Sequence, residues 1–334
     1  MRKHSWFLII VFTFLLSGCH RKSFGMYHDS IDVQINRFDS VLYQWIDSND
    51  PVNLQELLND YPQMLGLLGK SLFRSNDLDS AVFFEKLRSY FSEPTLKSLY
   101  QDALVLYASN SPVMQRIKND FAVGFERLGV LFPSIETPRV YMHVSGLQQN
   151  VIVADGLLSI SIDKYLSADY LLYKKFFYEY QIKHMTPERV AIDGLYAWIT
   201  SDFPFRGHEA VLLEKMVYEG KIIYLLMQTG LNYPIHQLIP MTEHEYQWCL
   251  KNESALWKTV IDRKHLLQPN PMITSRYFNP APSTFITEDA PGYLGRFIGF
   301  RIIENYMKQT KSTCQDLMLN NDAEALLKKS KYKP

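Results

Sequence analysis

Arg139-Val140-Tyr141-Met142-His143-Val144 and, after Ser145 to Asn150, Val151-Ile152-Val153-Ala154-Asp155-Gly156-Leu157-Leu158-Ser159-Ile160-Ser161-Ile162 form the stretch on which the fold turns. Both pieces are rich in β-branched and apolar residues, which suit a pleated, half-buried surface. Asp155-Gly156 is a turn signal between two such runs and predicts a hairpin. Far upstream, Ile31-Asp32-Val33-Gln34-Ile35 alternates apolar and polar residues, the pattern of one more short strand. Together these segments predict a small, mostly antiparallel sheet. Everything around it reads as helix, so the fold class is α+β, mostly helical.

Upstream of the sheet, the pattern from Arg37 to about Val130 is helical. Asp77 precedes an apolar-spaced run from Leu78 to Phe91, and Glu93-Pro94-Thr95 opens the next helix with proline in its first turn. Ser111-Pro112 starts another, with Met114, Ile117, Phe121, Phe125 and Leu128 at spacings of three and four, a core-facing stripe. Downstream, helices are expected over 168–183, 187–200, 208–228, 243–263 and 292–309. A proline-spotted loop is expected over 268–287. A last helix over 322–329 should be capped by Asn320 or Asn321.

The amino terminus decides where the chain lives. Arg2 and Lys3 precede an apolar run from Trp6 to Leu16, broken only by Thr13. That run is short of the roughly 20 residues a bilayer-spanning helix needs. A basic start, a short apolar stretch and small residues make a secretion signal over 1–18. It ends in Leu16-Ser17-Gly18-Cys19, which resembles the bacterial lipobox. The resemblance implies cleavage before Cys19 and acylation of that cysteine, so that lipid chains hold the protein on a membrane. His20, not aspartate, follows Cys19, which in the familiar Gram-negative sorting scheme implies the outer membrane, and no acidic pair follows, which implies its periplasmic face rather than surface display. Arg21 and Lys22 are read as resting near head groups. Residues 19–30 are a tether and 31–334 a single domain, with a helical part (31–132) and a second part (133–334) built around the sheet.

Bulk properties exclude other classes. Lys plus Arg equal Asp plus Glu at 35 each, so no net charge steers the chain toward nucleic acid. Apolar residues at 47% against 21% charged place it firmly among folded proteins. Cys249 and Cys314 are the other two cysteines. An exported compartment permits a disulfide between them, yet both lie in helical patterns where a buried free thiol is common.

Helix, small sheet, helix over 187–200 and then a helix bearing Glu219-Gly220 is similar to the order of parts in zincin-type metallopeptidases. Such enzymes carry His-Glu-x-x-His, whose two imidazoles bind zinc while the glutamate acts as general base. The motif is absent. His208-Glu209-Ala210-Val211-Leu212 and His244-Glu245-Tyr246-Gln247-Trp248 each lack the second imidazole, and the expected helix reads Asp193-Gly194-Leu195-Tyr196-Ala197. Nucleophile-elbow and phosphate-loop motifs are absent as well. The reading is a degenerate zincin-like core without metal, cofactor or catalytic residues. A divergent hydrolase using Glu219 and other carboxylates is the alternative, as is a glycan-binding lipoprotein drawing on 21 tyrosines and 20 phenylalanines.

Several short motifs point to one family. The lipobox, Ile35-Asn36-Arg37-Phe38-Asp39, Asp163-Lys164-Tyr165-Leu166, and Met216-Val217-Tyr218-Glu219-Gly220-Lys221-Ile222-Ile223-Tyr224 resemble the gliding motility lipoprotein GldB of the Bacteroidetes. Pro291-Gly292-Tyr293, Gly299-Phe300-Arg301-Ile302-Ile303 and the closing Ser330-Lys331-Tyr332-Lys333-Pro334 extend the similarity to the carboxyl end. The resemblance implies a membrane-anchored part of the gliding and type 9 secretion machinery, with envelope proteins as partners. It also implies a scaffold related to predicted zinc peptidases that no longer cuts.

Glu219-Gly220-Lys221 sits in an otherwise apolar helix face. Glycine in mid-helix costs about 0.5–1 kcal/mol relative to alanine, so close packing is expected there, with Gly194 as its partner. Gly295 and Gly299, four apart, again favour close approach, and Arg301 is expected to pair with Glu219 or Asp193. If a groove survives from a peptidase ancestor, Asp193, Tyr196, Tyr218, Glu219, Tyr293 and Arg301 are its candidate residues, beside an edge strand over 151–154.

Overall fold

The computed structural model describes residues 32–334 apart from 49, 75–80, 283 and 288. Cys19, the signal and tether over 1–30, Ile31 and the helix start at Asp77 lie outside the described residues. From Ile31 to Pro334 the chain forms one compact unit.

β1 (Ile35–Asn36) leads into α1 (Phe38–Ser48), α2 (Pro51–Asp60), α3 (Pro62–Phe73), α4 (Ala81–Phe91), α5 (Pro94–Leu106) and α6 (Pro112–Leu131). Three of these helices start by the same device, an acceptor side chain followed by proline at the first helical position. Asp50, Glu93 and Ser111 accept from the amides of Val52 (2.8 Å), Leu96 (2.9 Å) and Met114 (3.2 Å). The stripe on α6 is buried as its spacing requires.

The sheet comes next: β2 (Arg139–His143), β3 (Val151–Ala154) and β4 (Leu157–Ser161). Its order is β1-β2-β4-β3, and it is mixed rather than mostly antiparallel. Only β3 and β4 run antiparallel; β1 with β2 and β2 with β4 are parallel. The chain reverses twice, after β2 and at Asp155-Gly156, where Gly156 takes a positive φ of 61°. After two reversals β4 points the same way as β2, and it slots between β2 and β3. All five residues of β4 are buried, the signature of a central strand. β3 is left half-exposed at the edge.

Beyond the sheet, 3₁₀ turns at Ile162–Lys164 and Leu171–Lys175 precede α7 (Glu179–Ile182), α8 (Arg189–Asp202), α9 (Leu212–Gln228), α10 (Ile235–Leu238), α11 (Glu243–Asp262), α12 (Pro271–Phe278), α13 (Leu294–Thr310), α14 (Cys314–Leu319) and α15 (Ala323–Ser330). The helix expected over 168–183 is thus only a 3₁₀ turn and one short helix. Successive aromatics there are poor helix formers, and the Tyr173 hydroxyl is pinned, accepting from the Leu166 amide (2.9 Å) and donating to the Asp163 carbonyl (2.6 Å). The expected loop over 268–287 contains α12, which Asn270 caps by accepting from the Ile273 amide at 3.0 Å. Asp322, rather than Asn320 or Asn321, caps α15 through the Ala325 amide.

α8 packs on β3 and β4, and α9 packs along α13. The close contact is between Gly220 and Gly299, not between Gly220 and Gly194. A Cβ on Gly220 would strike the Gly299 carbonyl, and one on Gly299 would strike that of Met216. Gly194 instead makes room for Phe121 and Ile160. Cys249 and Cys314 are both free thiols.

Candidate functional site

α8 turns one face away from the core. Arg189, Asp193, Tyr196 and Ala197 recur at helical spacing and line a cleft of about 370 Å³, within the usual size range of ligand sites. Asn150 and Val151 bring the start of edge strand β3 to its wall, and Tyr293 and Arg296 bring the first turn of α13. Phe177, Tyr180 and His184 close it from the segment before α8.

Charged groups in and behind this cleft come in pairs. Arg189 donates through Nη2 to Asp193 Oδ1, four residues on, and through Nη1 to the Gln237 carbonyl. Asp193 Oδ2 accepts from the Tyr165 hydroxyl at 3.0 Å. Behind the wall, Glu219 Oε2 on α9 accepts from the Tyr196 hydroxyl at 2.7 Å and lies 3.0 Å from Arg296 Nε in an ion pair without hydrogen-bond geometry. Arg296 Nη2 also donates to Tyr196 Oη at 3.0 Å. The Arg296 guanidinium lies 5.0 Å from the Tyr196 ring centre and 4.9 Å from that of Tyr293, a double cation–π contact. Burial works against the charge on Arg296, but Glu219 and the tyrosine oxygens outweigh it and hold its pKa above the usual guanidinium value. Burial, with Glu219 adding to it, pushes the Tyr196 hydroxyl pKa up, so Tyr196 stays a neutral donor.

Two further groups border the cleft. Burial, aided by Arg189 and Lys183, holds His184 at a pKa of about 3, so its imidazole is neutral at physiological pH; its Nε2 makes no hydrogen bond. Lys164 has its pKa lowered by burial, partly offset by Asp163. It donates to the Leu147 carbonyl at 3.2 Å and lies 4.0 Å from the Phe177 ring centre. Tyr293 enters α13 in the left-handed region at φ 58°, a conformation that costs about 1–3 kcal/mol where a side chain is present.

Of the six candidate groove residues, Asp193, Tyr196 and Tyr293 line the cleft and Glu219 backs it. Tyr218 does not belong there. One residue along α9 from Glu219 it points elsewhere, donating to the Phe203 carbonyl at 3.0 Å and packing on Phe205. Arg301 pairs with neither Glu219 nor Asp193; it holds Glu253 at 2.9 Å and Glu304 at 2.6 Å. The partner of Glu219 is Arg296, five residues earlier and more than a turn away on α13. Arg189, Arg296, Tyr165 and His184 were missed. The Arg189/Asp193 spacing of four was a usable signal, whereas Arg296 joins Glu219 only through tertiary packing. Among the described residues no three His, Cys, Asp or Glu side chains are placed to hold a metal ion, and no helix is long and apolar enough to cross a membrane.

No curated protein and no solved structure matches the chain. A family model described as gliding motility protein GldB matches residues 24–334, which takes in the sheet, the cleft and both of its paired carboxylates, and the chain therefore belongs to the GldB family.

Proposed function

We propose that the chain is a non-catalytic envelope lipoprotein, held on the periplasmic face of the outer membrane by acylated Cys19, that binds or stabilises proteins of the gliding and type 9 secretion machinery. Membership of the GldB family supports its place among the gliding motility lipoproteins of the cell envelope. The cleft is then the surface that receives a partner. An extended segment pairing with the outer edge of β3 would gain main-chain hydrogen bonds and could place side chains among Tyr180, Tyr196 and Tyr293.

The observation that carries the non-catalytic reading is the state of Glu219. In the hydrolase alternative it is the working carboxylate, yet one oxygen is already shared between Tyr196 and Arg296, and its side chain is only 11% exposed. A general base needs to reach the proton it abstracts within hydrogen-bond distance; this one faces an arginine. On this reading the fold is a peptidase-derived scaffold that no longer cuts, and the absence of His-Glu-x-x-His from the sequence supports it.

The test is photo-crosslinking in living cells from a reactive residue placed at Tyr180 or Val151. Adducts with envelope proteins of the machinery are expected from these positions and not from exposed Glu85 on α4. Peptide hydrolysis by the purified lipoprotein that disappears in Glu219→Gln would overturn the reading. Mass spectrometry of the amino-terminal peptide checks the anchor separately.

A further inference from the structure

A second surface stands beside the cleft. Leu171 is 75% exposed, Phe176 62% and Tyr178 71%. Large apolar side chains scattered singly on a surface need no explanation, but three within eight consecutive residues concentrate exposed apolar surface on one short segment. Lys174 and Lys175 lie between them and are exposed. The segment is presented by a held backbone: Tyr173 is buried beneath it, with both of its hydroxyl hydrogen bonds made, and Tyr178 stacks on Tyr180 at 5.6 Å.

Its place on the body matters. Tyr170, next to the segment, donates to Asp102 at 2.7 Å. Arg37, close to the first described residue, donates to the carbonyl of Tyr107. Asp102 and Tyr107 are about 7.5 Å apart along the end of α5, at 1.5 Å per residue. Segment and chain entry therefore hang on one helix end. From Cys19 to Asp32 the chain can stretch no further than about 45 Å.

We infer that the segment Leu171–Tyr178 docks on a lipid bilayer surface. Leucine and aromatic tips beside lysines match what the water–hydrocarbon boundary favours: apolar side chains enter the head-group layer, aromatic rings sit at its level, and lysines meet anionic lipid. A second copy of the chain fits worse, because a two-fold contact through this segment would gather lysines of like charge. The anchoring reading supplies the bilayer in the cell. Docking would hold the body with the neighbouring cleft at a fixed height above the bilayer.

The test uses residues 20–334, which contain the whole compact unit and lack Cys19, so failure here leaves the acylation reading untouched. Sedimentation with phosphatidylethanolamine–phosphatidylglycerol vesicles should pull down the unmodified chain. Leu171→Ser/Phe176→Ser/Tyr178→Ser should weaken partitioning by about tenfold or more. Lys174→Glu/Lys175→Glu should weaken it by a similar factor on these vesicles and little on phosphatidylcholine. All five positions are exposed, and near-ultraviolet circular dichroism checks that the fold is retained. The inference is overturned if the unmodified chain stays in the supernatant or if the triple variant sediments equally. It is also overturned if the triple variant instead abolishes self-association in solution, which would mark a copy-to-copy surface.

Discussion

Glu219 and Gly220 are neighbours on α9, and the two regions they serve are built on opposite rules. Gly220 belongs to the seam with α13, where backbones meet without side chains between them. Glu219 belongs to the back of the cleft, where Tyr196 and Arg296 surround one carboxylate oxygen. The seam is specified by volume: any added atom is refused. At the cleft wall, charge is what matters: shape can give a little, but neither partner of the pair tolerates losing the other. That difference orders the expected effects of mutation.

The seam should break hardest. Gly299→Val places atoms on the Met216 carbonyl, and backbone cannot move aside as a flexible side chain can. Overpacking usually costs about 1–3 kcal/mol; contact with backbone places this case at about 3 kcal/mol or more, read as a fall in the urea midpoint at constant slope. Gly129→Ala is the control: nothing lies near its Cβ position, and alanine should stabilise α6 by about 0.5–1 kcal/mol. A mild effect at Gly299 would mean that the two helices can separate freely.

At the cleft, Arg296→Met should cost about 2–3 kcal/mol, because it leaves the Glu219 carboxylate largely buried without its counter-charge. This is below the 3–5 kcal/mol of a fully enclosed pair, since Arg296 is 19% and Glu219 11% exposed. Adding Glu219→Gln should recover part of the loss, and a double-mutant cycle measures how much. No recovery would show that Arg296 acts through its stacking on Tyr196 and Tyr293 rather than through charge.

The two regions also differ in how far the sequence revealed them. Gly220 and Gly299 stand out inside apolar helices, so close approach could be read, although their pairing could not: the expected partner of Gly220 was Gly194, whose space Phe121 and Ile160 fill. Prolines after Glu93 and Ser111 gave helix starts to within a residue or so; the same device at Asp50 was as legible but went unread. The sheet's direction failed because strand patterns carry no record of which neighbour a hairpin will insert beside. Arg301 was a plausible partner for Glu219 by motif proximity, but helix phase sends it to Glu253 and brings Arg296 round. Local signals survive into the fold, whereas pairings between distant segments depend on phase and packing that no single segment encodes.

Acid should weaken the fold through two imidazoles, one buried in the sheet and one in the cleft lining. His143 is fully buried and His184 half-buried beside Arg189, and burial holds each at a pKa of about 3. Unfolded, each would titrate near 6.5. The unfolded chain then binds more protons, so stability is complete above about pH 6.5 and falls as pH drops toward 3. Buried His143 sets a slope of about 1.4 kcal/mol per pH unit, and His184 adds less because water reaches it. Asp39 and Asp163, whose pKa values burial raises, take up protons in the folded state and flatten the lowest part of the curve. Denaturant titrations at pH 7 and pH 5 measure the loss, which should shrink in His184→Gln.

The smallest effect separates stability from binding at the cleft. Tyr196→Phe removes a hydroxyl that donates to Glu219 and accepts from Arg296, while the ring under the guanidinium stays. A net hydrogen bond is worth about 0.5–1.5 kcal/mol, and Arg296 still covers the Glu219 oxygen, so about 1 kcal/mol of stability should be lost. The ion pair loses its shared hydroxyl but not its geometry, and a partner held by ring contacts along β3 would barely notice. Crosslinking yield from Tyr180 should therefore persist in Tyr196→Phe and fall in Tyr196→Ala, which removes the ring as well. Equal yields from both variants would show that the partner ignores this wall and that the paired charges serve the fold alone.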